Sequence, residues 1–204
     1  LAPYVNTNFH DLSKFESDVA SGNLAEYVFL TPSLTGRNAS AGLPAMPPNS
    51  LHPNENNGSI EGTIADGDAL IRTVYNALAS NKTIWEETLF LIVFDEHGGF
   101  YDSVMPPANL PYSMRPTAEP QWNMPPDNVP FGFMNYGPRV PAIVISAWTN
   151  TFLDTNIVFE HSAIPATVKE IFGLPEFLTN RDANSPCFHN AWPLLAEPRA
   201  PITL

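Results

Sequence analysis

Leu89-Phe90-Leu91-Ile92-Val93-Phe94-Asp95-Glu96-His97-Gly98-Gly99-Phe100-Tyr101-Asp102 is the stretch on which the reading of this chain turns. Six apolar residues, Leu89 to Phe94, run without a break into two carboxylates and an imidazole. A short unbroken apolar run bounded by turn residues predicts a buried strand. Gly98-Gly99 predicts a sharp exit, where backbone can approach a ligand closely. In open α/β sheets, ligands settle just beyond the carboxyl ends of the strands. Asp95, Glu96 and His97 therefore stand where a hard or borderline cation could be held, with acid–base capacity to spare. The plain alternative is a strand that ends at the surface with two solvated acids.

Upstream, Leu70, Val74 and Leu78 recur at helical spacing and Ile71 and Ala77 widen the stripe, which predicts an amphipathic helix over 66–79. Asp66 or Asp68 is its expected N-cap. Phe15–Ala20 reads as a short helix, and Tyr27–Leu30 as a short strand stopped before Pro32. The segment 32–60 is rich in Ser, Asn, Gly and Pro, so it is a loop, and it carries His52-Pro53. Downstream, nine prolines fall between Met105 and Pro138, which makes 105–138 an irregular excursion. Arg139–Ser146 then reads as another buried strand, with Pro141 near its start, where a missing donor is tolerated. Ser162 is the expected cap of a helix through Phe172, with Pro165 in its first turn and Gly173 just past its end. No periodicity marks 186–204, an irregular tail, and no internal repeat is visible. The order strand, helix, strand, long loop, strand, helix implies an α/β layered fold with a crossover between the first two strands.

The chain has 204 residues, 44% of them hydrophobic, enough for one sizeable α/β core. Its net charge is −12 with only 9 Lys and Arg, which speaks against a nucleic acid partner, because a phosphate backbone needs basic groups to displace its counterions. The same balance disfavours docking on an anionic membrane surface. No stretch approaches the ~20 apolar residues of a transmembrane segment. Cys187 is the single cysteine, so no internal disulfide forms. Asn38-Ala39-Ser40, Asn57-Gly58-Ser59 and Asn81-Lys82-Thr83 are acceptor triplets for N-glycosylation, which points to a secreted or cell-surface glycoprotein. Leu1-Ala2-Pro3 reads as the interior of a longer sequence rather than a leader.

Other residues carry two readings each. His52 is either a solvated loop histidine or a donor to an anionic phosphate oxygen, or a general acid. His161, beside Glu160 and just before a helix, has a local packing or capping role or serves an anion at the helix N-terminus. Arg139 clamps an anion or, as the better match, forms a structural ion pair. His10 and His189 have no informative context. No Gly-x-Ser-x-Gly elbow, phosphate-binding Gly-Lys loop or paired cysteine motif is present, so nothing here marks a nucleophile.

Several blocks in order resemble the phosphoesterase family, which includes the non-specific phospholipases C of plants, bacterial phospholipases C and related acid phosphatases. Phe94-Asp95-Glu96-His97-Gly98-Gly99-Phe100-Tyr101-Asp102 is similar to the family's DEHGGFYDH block. Gly137-Pro138-Arg139-Val140-Pro141 with Ile145-Ser146 resembles its GxRVPxxxIS block. Glu160-His161-Ser162-Ala163-Ile164-Pro165-Ala166-Thr167-Val168 and Leu178-Thr179-Asn180-Arg181-Asp182-Ala183 follow, and His52-Pro53 with the 66–79 helix resembles the HP loop and its helix. The resemblance implies an alkaline-phosphatase-like layered sandwich with a central, mostly parallel sheet, incomplete in this chain. Residues 1–204 would then be the C-terminal part of one phosphoesterase catalytic domain. It further implies a hydrolase acting on phosphate esters or phospholipid head groups through a hydroxyl nucleophile and a divalent metal ion. Asp95 and Glu96 fall on the family's metal-binding acids, and His52 on its phosphate-contacting histidine. The family's ENRSFD-like and TxPNR-like blocks, the second of which holds the nucleophile, are not found here. Asp102-Ser103-Val104 stands where the family has DHV. A competing expectation is a catalytically inactive, secreted phosphate- or lipid-binding fragment; a third is a truncated chain that does not fold alone.

Overall fold

Thr63 starts the helix that the 70–78 spacing announces. In a computed structural model, which describes residues 2–36, 45–52, 63–107, 110–115, 135–150 and 157–203, that helix spans Ile64–Ser80. The Thr63 side chain accepts from the Asp66 N–H while the Asp66 carboxylate accepts from the Thr63 N–H at 2.8 Å. Asp66 is thus the reciprocating third residue of a capping box rather than the cap, and Asp68 pairs with Arg72 along the helix. With the helices numbered in chain order, this is α3; before it come α1 (Val5–Asn8) and α2 (Leu12–Ser21), and after it α4 (Lys82–Glu87).

The chain divides into two compact units. The first comprises residues 1–88 and 198–204, and its core is Phe15 and Val19 from α2, Val74, Tyr75 and Leu78 from α3, and Trp85 from α4. Asn81 links three helices: it caps α3, its Oδ1 accepts from Ile84 N–H to start α4, and its Nδ2 donates to Val19 O at 2.8 Å. That amide is committed to the packing of the unit, whereas the triplets at Asn38 and Asn57 lie outside the described residues. Residues 198–203 return to this unit, where Trp85 Nε1 donates to Arg199 O at 2.7 Å and the Tyr75 hydroxyl bonds both Ile202 O and Ile202 N–H. Tyr27–Leu30 is not a strand: Tyr27 and Phe29 are exposed and the segment pairs with nothing among the described residues. An apolar run becomes a strand only where a neighbour takes up its backbone groups.

The second unit comprises residues 89–197 and holds β1 (Phe90–Val93), β2 (Ala142–Ile145), α5 (Ala163–Phe172) and α6 (Asn180–Ala183). Its two strands pair antiparallel, Phe90 opposite Ile145 and Val93 opposite Ala142. This corrects the expected mostly parallel sheet. Parallel neighbours need a crossover, but most of the segment between β1 and β2 is the 105–138 excursion, of which 108–109 and 116–134 lie outside the described residues. The strands are also not buried: Ile143 is 53% exposed and no further strand pairs with either among the described residues. The molecule is thus mixed α and β, with a small sheet.

Helix α5 ends at Gly173 as expected, and Ser162 holds its N-cap position, but the Ser162 side chain makes no capping bond. The Ser162 hydroxyl bonds the Ser185 hydroxyl at 2.8 Å, and backbone turns from Glu160 and His161 close the first turn instead. Thr167, buried in α5, accepts from Phe188 N–H, and the Phe188 ring stacks on Phe159 with centroids 4.4 Å apart. Burial holds the neighbouring free thiol of Cys187 above its usual range. Residues 186–203 contain no helix or strand, as their lack of periodicity implied. No helix among the described residues is long and apolar enough to cross a membrane.

Candidate functional site

β1 delivers its carboxyl end to a turn built by the acids themselves. Asp95 Oδ1 accepts from Glu96 N–H at 3.0 Å, and Glu96 Oε2 accepts from Gly98 N–H at 2.7 Å. Acidic side chains that bond backbone N–H groups just ahead of them favour turns over continued strand. Gly98 and Gly99 both take φ of +72°, a conformation that costs other residues dearly, and the chain reverses there. Asp95, Glu96 and His97 are all exposed, with His97 Nδ1 3.6 Å from Glu96 Oε2. Phe100 and Tyr101, 68% and 94% exposed, follow directly.

Asp102 closes the segment. Arg139, just before β2, grips it with two bonds, Nε to Oδ2 at 2.9 Å and Nη2 to Oδ1 at 2.8 Å, and Val104 N–H adds a third. The Arg139 guanidinium, helped by that N–H, holds the Asp102 carboxyl down at about 2. Arg139 is therefore a structural partner of the turn. Antiparallel pairing makes this possible, because it brings the start of β2 beside the end of β1. A second ion pair joins the next two blocks: Arg181 Nε donates to Glu160 Oε2 at 2.6 Å, and Arg181 also reaches Asn135 O. Asp182, buried beside it, has its carboxyl pushed up by burial and pulled down further by Thr179 Oγ1 and the N–H groups of Leu178 and Thr179, so that it is lowered on balance.

His52 sits in the first unit. It is exposed, and its N–H donates to the Ser50 hydroxyl at 3.2 Å. Asn49 fastens this stretch to Ser33 through two bonds. The same stretch lies hard against α3 at Gly67, where any Cβ would meet Ser50 O at 3.3 Å and the Leu51 side chain closer still. Asp95 and Glu96 are adjacent in the second unit, while His52 belongs to the first. The sequence offered His161 a local packing or capping role or an anion at the helix N-terminus; in the structure its Nε2 lies 2.7 Å from Phe94 O at the root of the turn.

Asp95 Oδ2 and Glu96 Oε1 accept no hydrogen bond among the described residues, and carboxylate oxygens of this kind suit a hard divalent cation. Yet no three His, Cys, Asp or Glu among the described residues converge as a metal site. The described residues do not supply a full coordination set for a cation.

A family model described as "Phosphoesterase family" matches residues 3–175. This chain belongs to the phosphoesterase family. It is 36% identical over 210 residues to non-specific phospholipase C6 of Arabidopsis thaliana, covering 98% of this chain and 36% of that protein. It is 38% identical over 186 residues to non-specific phospholipase C5 of the same plant, covering 87% of this chain and 32% of that protein. The non-hemolytic phospholipase C of Pseudomonas aeruginosa is 36% identical over 115 residues, 50% of this chain and 16% of the bacterial protein. This phosphoesterase chain thus spans about a third of the length of the plant relatives it matches.

Proposed function

We propose that this chain is part of a hydrolase that cleaves phosphate ester bonds, of the phospholipase C or acid phosphatase type. The observation that carries the reading is the family match over 3–175 with the Asp95–Glu96 pair at the carboxyl end of β1 inside it. Asp95 and Glu96 are two donors for a divalent metal ion, whose remaining donors lie beyond the described residues. Bound there, such an ion would draw charge from phosphoryl oxygens. His52 is the group that donates to a phosphate oxygen. The exposed rings of Phe100 and Tyr101 beside the acids support an ester with an apolar portion, such as a phospholipid. The finer architecture belongs to the same reading: the half-exposed, wholly apolar β1 and β2 suit a larger, layered, alkaline-phosphatase-like sheet, with residues 1–204 as the C-terminal part of one catalytic domain. An inactive binding fragment is not favoured, because the relatives matched are named as phospholipases C.

The test is hydrolysis of a chromogenic phosphate ester and of phosphatidylcholine by a form of the protein extended to the relatives' full length. Asp95→Asn and Glu96→Gln should each lower kcat/KM on the order of 100-fold or more, and a chelator should do the same reversibly. Turnover that is indifferent to both substitutions rejects the reading. We place the protein outside the cell or at its surface on its acidic composition and acceptor triplets. Since Asn81 is engaged with Val19, a glycosidase-sensitive mass should map to Asn38 or Asn57 in protein from its source, and unmodified residues at both count against secretion.

A further inference from the structure

We infer that His161 is a positioning residue that replaces a backbone donor missing from Pro141, and so fixes the peptide on which Asp95 stands. The starting point is the ladder. In an antiparallel sheet, residues of a hydrogen-bonded pair exchange two bonds, N–H to O in each direction. Phe94 N–H donates to Pro141 O at 3.3 Å, so these two residues form the next such pair beyond the strand ends. The reciprocal bond cannot exist, because proline has no N–H. Phe94 O is left without its ladder partner, one residue before the acids. His161 Nε2 lies 2.7 Å from that oxygen.

The chemistry follows from which atoms can donate. A carbonyl oxygen only accepts, so Nε2 carries the proton, which makes the neutral ring the Nε2–H tautomer. Phe94 C=O and Asp95 N share one planar peptide. Clamping the oxygen therefore sets the orientation of the plane from which Asp95 departs, and with it the turn whose bonds run from Asp95 to Glu96 and from Glu96 to Gly98. His161 reaches this point from just ahead of α5, and the neighbouring Glu160 is anchored by Arg181, so the imidazole is presented from a braced segment. That the clamp matters for function rests on the reading of Asp95 and Glu96 as working acids; that it exists does not.

The experiment uses the full 204-residue chain labelled with 15N and 13C. In the unaltered protein, the ring nitrogens of His161 should give the well-separated shifts of a fixed Nε2–H tautomer. His161→Ala should move the Phe94 carbonyl shift and speed exchange of the Phe94 amide by roughly tenfold or more, while amides of α3 stay unchanged. Adding Pro141→Ala restores an N–H opposite Phe94 O, and the double variant should recover most of the lost protection. His161→Gln, which keeps a donor, should lie between. An averaged or Nδ1–H imidazole, or a double variant as labile as His161→Ala, overturns the inference. If His161→Ala fails to fold, the tautomer and the Pro141→Ala, His161→Gln pair still decide it. In the extended, ester-cleaving form, kcat should fall and recover in the same order. An extended form without activity removes the phosphoesterase reading while leaving the exchange result to judge His161.

Discussion

Asp102 is the acid whose protonation the structure constrains most openly. Arg139 holds its carboxyl at about 2, against 3.8 for an unconstrained one. A depressed carboxyl contributes stability that is whole above the unfolded value and disappears as pH falls through the folded one. The stability difference between the natural chain and Asp102→Asn should therefore be level from neutral pH to about 4 and vanish near pH 2, measured by urea unfolding across that range. Because the pair is solvent-accessible, the difference should also shrink in high salt. A difference that persists below pH 2 rejects the assignment. At this scale, the sequence showed the adjacent acids plainly, since neighbours in the chain need no fold to be neighbours. It showed the Asp102–Arg139 partnership only as a preference for an ion pair, because residues 37 apart meet only once strand direction is known. His161 was opaque for the same reason: its partner is a backbone atom 67 residues away.

Among the elements, α3 shows how a local rule can be inverted by packing. Replacing a glycine within a helix by alanine ordinarily gains up to about 1 kcal/mol. At Gly67 the new methyl would press on Leu51 and on Ser50 O, beside the loop that ends at His52. Overpacking of that kind costs about 1–3 kcal/mol. Gly67→Ala should thus lower stability by up to about 2 kcal/mol and shift the His52 ring resonances; a stabilised protein with an unchanged His52 contradicts this placement. The helix itself was legible from its spacing, and its start was misread because Asp66 looks like a cap when Thr63 is overlooked. Both strands of the sheet were legible as apolar runs. Their direction was not, since that depends on the route of the connection, and neither was their exposure, which depends on what else covers them.

At the scale of the whole molecule, the first unit is discontinuous, with residues 198–204 joined to 1–88. A protein ending at residue 197 would leave the buried Trp85 indole N–H and the Tyr75 hydroxyl without Arg199 and Ile202. Each orphaned buried group costs about 1–3 kcal/mol, so the shortened protein should lose roughly 2–6 kcal/mol, read from chemical unfolding followed by tryptophan fluorescence. An unchanged midpoint would mean that the returning strap is incidental. The strap also sets an order of events at the ribosome. Ribosomes add about 5–20 residues per second, so the indole of Trp85 waits roughly 5–20 s for its partner to be made. The unit bearing the acids is contiguous, yet its last residue, Glu197, is made within about a second of Arg199 and Ile202. Nascent chains should therefore complete both lobes almost together, the earlier-made one staying open until the last residues emerge.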